Sequence, residues 1–142
     1  MEEILFVGGT GGLVTGIIKS ASLDGFSIYR TTRSRKQALL KDYLYFDVNH
    51  ELDPDFKKIL QKVDHIIFNI GSGEMFSGEK FMRDDWIKSF EINVFYIVDV
   101  LNELTKGNLN NLKTITFISS IAMRRIVGAP IYYAASKSSV QQ

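Results

Sequence analysis

A tyrosine and a lysine four positions apart, Tyr133 and Lys137, stand in the segment YYAASK close to the end of the sequence. On a helix this spacing places both side chains on one face. An unperturbed tyrosine has a pKa of about 10, which is too high for efficient acid–base chemistry at neutral pH, and a neighbouring cation lowers it by stabilising the phenolate. The spacing therefore predicts a general acid–base group, although an ordinary amphipathic turn shows the same spacing.

A glycine-rich segment, VGGTGGLVTG, occupies residues 7–16 and follows an apolar run. Glycines at such a turn allow the backbone to approach a pyrophosphate, whose charge is met by backbone N–H groups at the start of a helix. The spacing fits Gly9-x-x-Gly12-x-x-Thr15 and not G-x-G-x-x-G, because Val14 takes the last place. The segment predicts a dinucleotide-binding turn with the contact residues Gly9, Thr10, Gly11, Gly12 and Leu13.

A basic segment, RTTRSRK, covers residues 30–36, about 20 residues beyond the glycines. In a dinucleotide-binding fold an acid at this point favours NAD, whereas arginine accommodates the extra phosphate of NADP. No acid lies between Asp24 and Asp42. A solvated basic loop is the alternative, but basic residues at the start of a predicted helix oppose its dipole and favour a bound anion. The segment predicts NADP(H), held by Arg33 and Ser34, with Arg35 as second choice.

The elements that must position these residues alternate between short apolar runs and helical patterns. Such alternation predicts an α/β fold with a doubly wound parallel sheet, helices on both faces and one domain over residues 1–142. The predicted strands are EILFVGG, GFSIYRT, YLYFDV, DHIIFNIG and LKTITFISS. The predicted helices cover Leu13–Ser20, Ser34–Lys41, Pro54–Lys62 and Asp84–Lys106, followed by one that begins near Ala129.

Composition excludes several classes of function. The 17 Lys and Arg residues nearly balance the 16 Asp and Glu residues, so net charge does not direct the chain to nucleic acid. The N-terminus is acidic, and no apolar run reaches the roughly 18 residues of a membrane helix, so we expect a cytosolic protein. The absence of cysteine excludes disulfides, and His50 and His65 have no neighbouring ligand set, so no metal site is expected.

Taken in order, these segments resemble the short-chain dehydrogenases/reductases. FDV, with Asp47 and Val48, is similar to the family's Asp-Val after the third strand, where the aspartate holds the adenine amino group. FNIG, with Asn69 and Gly71, resembles the family's Asn-Asn-Ala-Gly after the fourth strand, which implies that both residues line the cofactor. Asn93, in EINV, matches the helix asparagine that supports a proton relay. The resemblance covers the whole chain.

The same resemblance implies the catalytic roles. ISSIA and YYAASK match the family's serine and Tyr-x-x-x-Lys segments, with thirteen positions between Ser120 and Tyr133. Tyr133 would exchange a proton with a carbonyl or alcohol oxygen while hydride moves to or from the nicotinamide, and Ser120 would orient that oxygen. Lys137 would stabilise the phenolate and bind the nicotinamide ribose. Only Tyr133 satisfies both spacings, so Tyr132 is expected to pack.

The length leaves alternatives open. The fold has strand order 3-2-1-4-5-6, and the five predicted strands leave its second half unfinished, so we expect the N-terminal portion of the family fold. One reading is an NADP(H)-dependent oxidoreductase acting on a small carbonyl or alcohol. A second is a short form that binds a nucleotide or a protein partner without catalysis, and a third is a member of the epimerase or dehydratase branch. Family members commonly dimerise through the long fourth helix and the Tyr-Lys helix, and the apolar stripe of residues 86–101 permits this.

Overall fold

The structure, a computed structural model, describes residues 1–73, 82–120 and 130–140. Strands and helices alternate along these residues. They are β1 (Glu3–Val7), α1 (Gly12–Leu23), β2 (Ser27–Thr32), a 3-10 turn (Gln37–Leu39), β3 (Tyr43–Tyr45), α2 (Pro54–Leu60), β4 (His65–Phe68), α3 (Arg83–Phe90), a π-helical segment (Glu91–Phe95), α4 (Tyr96–Leu104), β5 (Thr114–Phe117) and α5 (Ile131–Ser138).

The chain falls into two compact units. Unit 1 comprises Met1–Asn69 and Val100–Phe117, and unit 2 comprises Ile70–Asp99 and Ile118–Gln142. Unit 1 carries a five-stranded parallel sheet in the order β3-β2-β1-β4-β5. The predicted strand order is therefore confirmed for these five strands, as is the Rossmann-like α/β class.

Alternation of side chains along β1 explains the two-sided core of unit 1. Ile4 and Phe6 pack with Val14 of α1, whereas Leu5 and Val7 point to the opposite face because neighbouring residues of a strand alternate. Leu5 is in register with Ile66 of β4. Strands buried on both faces read as continuous apolar runs, which is why ILFV carries no polar alternation.

Unit 2 is built mainly from helices. Helix α3 packs against α5, and the indole of Trp86 meets the ring of Tyr132 edge to face with centroids 6.4 Å apart. Tyr132 is buried, as the sequence predicts for a packing residue. Within the residues described, each helix is too short or too polar to serve as a membrane-spanning segment.

Two helix predictions need correction. The helix expected over Ser34–Lys41 is reduced to the 3-10 turn, because hydroxyls satisfy the local backbone donors. Thr32 Oγ1 accepts from the Ser34 N–H at 3.1 Å, and Ser34 Oγ accepts from the Gln37 N–H at 3.2 Å. The long helix expected over Asp84–Lys106 runs from Arg83 to Leu104 but widens into the π-helical segment. The expected start of the last helix near Ala129 lies outside the described residues.

Candidate functional site

The glycine turn after β1 has a backbone that only glycine adopts easily. Gly8 has φ 100°, in the left-handed region that L side chains rarely occupy. At Gly9 an added Cβ would lie 2.4 Å from Cβ of Arg30 and 3.1 Å from the backbone nitrogen of Thr31. Gly9 therefore allows the turn to pass directly against β2.

Hydrogen bonds from two neighbouring strands fix this turn. The Gly8 N–H donates to Thr31 Oγ1 at 2.7 Å, and the Gly9 N–H donates to the Thr31 carbonyl at 3.2 Å. From the other side, Asn69 Nδ2 donates to the Gly8 carbonyl at 3.1 Å. Asn69, predicted as a cofactor-binding residue, thus lies against the predicted glycine turn. Thr31 was not predicted, because its place beside the turn depends on strand pairing.

The start of α1 fits the pyrophosphate of a dinucleotide. Gly11 is the N-cap and no side chain caps the helix, whose first turn carries no acid. A Cβ at Gly12 would meet nothing within 4 Å, so this surface is open to a ligand. Free N–H groups at a helix N-terminus attract anions. Thr10 and Leu13, also predicted as contacts, are exposed beside this turn.

The basic segment follows β2 as an ordered turn. Arg33 and Ser34 are exposed, so both are accessible to a ligand at this position. Thr32 Oγ1 also donates to Gln37 Oε1 at 2.8 Å, which ties the turn to the residues after it. The guanidinium of Arg35 lies 4.1 Å from the ring centroid of Tyr45. This cation–π contact occupies Arg35 and leaves Arg33 as the better placed cation.

Asp47 and Val48 follow β3 and are half-buried. The Asp47 carboxylate accepts from the backbone N–H of Asn49 at 3.0 Å and from its side chain at 3.1 Å. These bonds, the backbone one first, hold the pKa of Asp47 below its usual range. In a parallel sheet the residues after each strand lie at one edge. The predicted cofactor residues of unit 1 that share this edge are Gly9, Arg33, Asp47 and Asn69.

In unit 2, Asn93 lies in the middle of the π-helical segment and is fully buried. Its Oδ1 accepts from the Ser72 N–H at 2.8 Å, and its Nδ2 donates to the Ser72 carbonyl at 3.2 Å. The side chain therefore fastens the loop that follows β4. A π-helical widening commonly marks a functional position in a helix.

Lys137 is buried and reaches the same loop. Its Nζ donates to the Ile70 carbonyl at 3.1 Å and to the Ile118 carbonyl at 3.4 Å. A Cβ at Gly71 would lie 2.7 Å from that Nζ, so glycine leaves the space that the ammonium occupies. Burial lowers the pKa of Lys137 because it disfavours the charged form.

Tyr133 and Ser120 complete the predicted catalytic set in unit 2. Tyr133 is half-buried on α5, one turn before Lys137, and its ring lies beside Gly73, where an added Cβ would come within 3.6 Å. Ser120 is half-buried and follows β5 by three residues. In unit 2, Asn93 and Lys137 thus both contact the loop that contains Gly71. The sequence did not reveal Ser72, Ser89 and Ser136, because Ser72 and Ser136 meet Asn93, and Ser89 meets Ser136, only in the tertiary structure.

The strand order, the glycine turn after β1 and the uncapped start of α1 define a Rossmann-type α/β fold. Residues 2–142 match a family model described as short chain dehydrogenase. The chain therefore belongs to the short-chain dehydrogenase/reductase family, as the sequence resemblance indicated. A comparison with curated proteins found no match.

Solved structures share the fold. One is an oxidoreductase of this family from Brucella ovis in complex with a partially ordered NAD, 19% identical with a TM-score of 0.75; the match covers 98% of this chain and 72% of that one. Another is BdcA in complex with NADPH, at 23% identity and TM-score 0.74, covering 99% and 61%. A third is a family member from Saccharomyces cerevisiae, at 25% identity and TM-score 0.70, covering 99% and 62%.

Proposed function

We propose that this chain carries the cofactor turn and the acid–base residues of an NADP(H)-dependent oxidoreductase that acts on a small carbonyl or alcohol. The observation that carries the proposal is the environment of Lys137. Burying an ammonium costs free energy unless hydrogen bonds compensate for the lost water, and such buried charged groups are concentrated at functional sites. Here it lies on the same helix face as Tyr133, bonds to the Ile70 carbonyl and occupies the space that Gly71 leaves.

The proposed chemistry is a coupled transfer of hydride and proton. A bound nicotinamide would supply the hydride to the carbonyl carbon in reduction and would receive it in alcohol oxidation. Tyr133 donates its hydroxyl proton to the carbonyl oxygen as the alcohol forms, and takes the proton back in the reverse direction. Lys137 stabilises the phenolate electrostatically, and Ser120 donates a hydrogen bond that fixes the reacting oxygen. Asn93 supports the relay by holding the loop at Ser72.

Replacing Tyr133 tests this assignment. We expect Tyr133→Phe to lose turnover by about two to four orders of magnitude, the range of acid–base contributions, with the Kd for NADPH nearly unchanged. Tyr132→Phe is the comparison, because its ring packs against Trp86. Turnover with a panel of ketones and alcohols and fluorescence titration of NADPH are the measurements.

Full turnover by Tyr133→Phe would show that Tyr133 is not the acid–base group. Binding of NADPH by the parent chain with no turnover on any substrate would instead favour a nucleotide-binding protein without catalysis. Conversion of a sugar nucleotide without net NADPH oxidation would favour the epimerase branch.

The preference for NADP(H) rests on the basic turn after β2. Arg33 is exposed, and the hydroxyl of Thr32 orders the backbone of Ser34. An arginine at this point accommodates a ribose phosphate, whereas NAD-binding proteins of this fold place an acid there. Because residues 37–39 form only a 3-10 turn, no α-helix dipole contributes to anion binding at this segment. The structural relatives include both an NAD and an NADPH complex, so they do not distinguish the two cofactors. The proposed preference for NADP(H) therefore rests on the residues of this turn.

A further inference from the structure

A cluster of fully buried polar side chains surrounds Asn93 in unit 2. Ser89 of α3, Asn93 and Ser136 of α5 are each 0% exposed. Asn93 Nδ2 lies 3.1 Å from Ser89 Oγ and 2.9 Å from Ser136 Oγ, and the two hydroxyl oxygens lie 3.1 Å apart. Buried polar groups are stable only when they are hydrogen-bonded, so this cluster depends on all its members.

The donors and acceptors of the cluster have a defined direction. Because Asn93 Oδ1 accepts from the Ser72 N–H, its Nδ2 must face the two hydroxyls. Ser136 Oγ donates to the Tyr133 carbonyl at 2.9 Å, and Ser89 Oγ donates to the Tyr132 carbonyl at 3.2 Å. The hydrogen bonds therefore run from the loop at Ser72 to the backbone of the first turn of α5.

Ser89 connects helix α3 to helix α5. It is the cluster member on α3, whereas Ser136 belongs to α5 itself, so its hydroxyl links α5 to a second helix. The same turn of α5 carries Tyr133, and one turn later Lys137 donates to the Ile70 carbonyl. Any shift of α5 along α3 would change where both side chains lie.

We propose that Ser89 is a positioning residue for Tyr133 and Lys137, acting through its hydroxyl. The hydroxyl holds the first turn of α5 in register with α3 and, through Asn93, with the loop of residues 70–72. The part of this proposal that concerns turnover rests on the proposed function. The part that concerns the position of Lys137 does not.

A matched set of substitutions isolates the hydroxyl. Ser89→Thr keeps it, Ser89→Val has nearly the volume of threonine without it, and Ser89→Ala removes it without adding volume. Ser138→Ala is the control, because Ser138 is exposed and its hydroxyl donates only to Ala134 of its own helix, at 2.9 Å. The control removes a hydroxyl from α5 without touching the cluster.

The first readout is the rate at which acetic anhydride acetylates Lys137, followed by mass spectrometry, with exposed Lys58 as the internal standard. Lys137 is 6% exposed, so it reacts when α5 opens. We expect Ser89→Val and Ser89→Ala to react about tenfold faster, which corresponds to about 1.4 kcal/mol. Ser89→Thr and Ser138→Ala should react at the parent rate.

Unchanged acetylation in both Ser89→Val and Ser89→Ala would overturn the proposal. Equally faster acetylation of Lys137 in Ser89→Thr and Ser89→Val would show that the added side-chain volume opens α5. Ser89→Ala, which adds no volume, then decides. Acetylation at the parent rate in Ser89→Ala would overturn the proposal, and faster acetylation would support it. Where the parent shows turnover, kcat should fall in Ser89→Val and recover in Ser89→Thr. If the parent shows none, faster acetylation still supports positioning of Lys137 while the proposed function fails.

Discussion

At the scale of single residues, Arg33 is the position at which the proposed preference for NADPH is tested. Arg33→Ala should weaken NADPH binding about tenfold or more and leave NADH binding nearly unchanged, because only NADPH carries the additional phosphate. Side-by-side fluorescence titrations of both cofactors measure this, with the exposed Lys41→Ala as a control for loss of positive charge. Tighter binding of NADH than NADPH by the parent would contradict the assignment.

Gly71 offers a second test at this scale, because the absence of a side chain there leaves the space that Lys137 occupies. In Gly71→Ala the new methyl would lie 2.7 Å from Lys137 Nζ and 3.4 Å from Asn93 Oδ1. We expect the free energy of unfolding in urea to fall by about 1–3 kcal/mol, the usual cost of overpacking. Gly73→Ala is the matched control: its methyl makes an ordinary 3.6 Å contact with the Tyr133 ring, so its cost should stay within about 0.5 kcal/mol.

At the scale of elements, the junction of β1 with α1 distinguishes two kinds of glycine. Gly9→Ala would place a methyl 2.4 Å from Cβ of Arg30 and should destabilise the protein by about 1–3 kcal/mol. Gly16→Ala, inside α1 with nothing within 4 Å, should stabilise it by about 0.5–1 kcal/mol through helix propensity. Urea denaturation of both variants measures this, and equal effects would contradict the close approach of the turn to β2.

The π-helical segment shows why the long helix was predicted only in part. The apolar pattern predicts a helix over Asp84–Lys106, and the structure has one from Arg83 to Leu104. Periodicity does not report where one turn of that helix widens. The widening is centred on Asn93, whose buried side chain bonds to the backbone of Ser72, 21 residues earlier. Local sequence cannot specify a feature that depends on so distant a partner.

At the scale of the whole molecule, charged side chains connect the two ends of unit 1. Lys113 Nζ bonds to the Glu2 carboxylate and lies 3.1 Å from Asp64, while Asp64 accepts from the Glu3 N–H at 2.8 Å. The hydrogen bond from Lys113 lowers the pKa of Glu2, and the bond from Glu3, followed by that from Lys113, lowers the pKa of Asp64. These contacts join residues 2 and 113 through side chains.

The sign of the pH dependence follows from those directions. A carboxyl whose folded pKa is depressed stabilises the fold above its unfolded pKa, and this contribution is lost as pH falls through the folded pKa. Urea titrations should therefore show that the free energy of unfolding of the parent falls as the pH is lowered from about 6 to about 3. Lys113→Gln should lose less of its free energy of unfolding over the same interval. Lys19→Gln, the same change on an exposed lysine of α1, should follow the parent. If the free energy of unfolding of Lys113→Gln and of the parent changed identically with pH, the proposed contribution of the Lys113 contacts would be contradicted.

The sequence by itself determined the α/β fold class and the family, and it predicted the chemistry-bearing residues. Apolar runs predict the five strands because burial on both faces leaves a local composition signal, and the spacing of Tyr133 and Lys137 is a property of the helix alone. Only the tertiary structure decided what holds these residues. Thr31 lies against the glycine turn because β1 pairs with β2, and Ser89 meets Ser136 because α3 packs on α5. Such contacts join residues distant in sequence, and their geometry is set by packing rather than by local pattern.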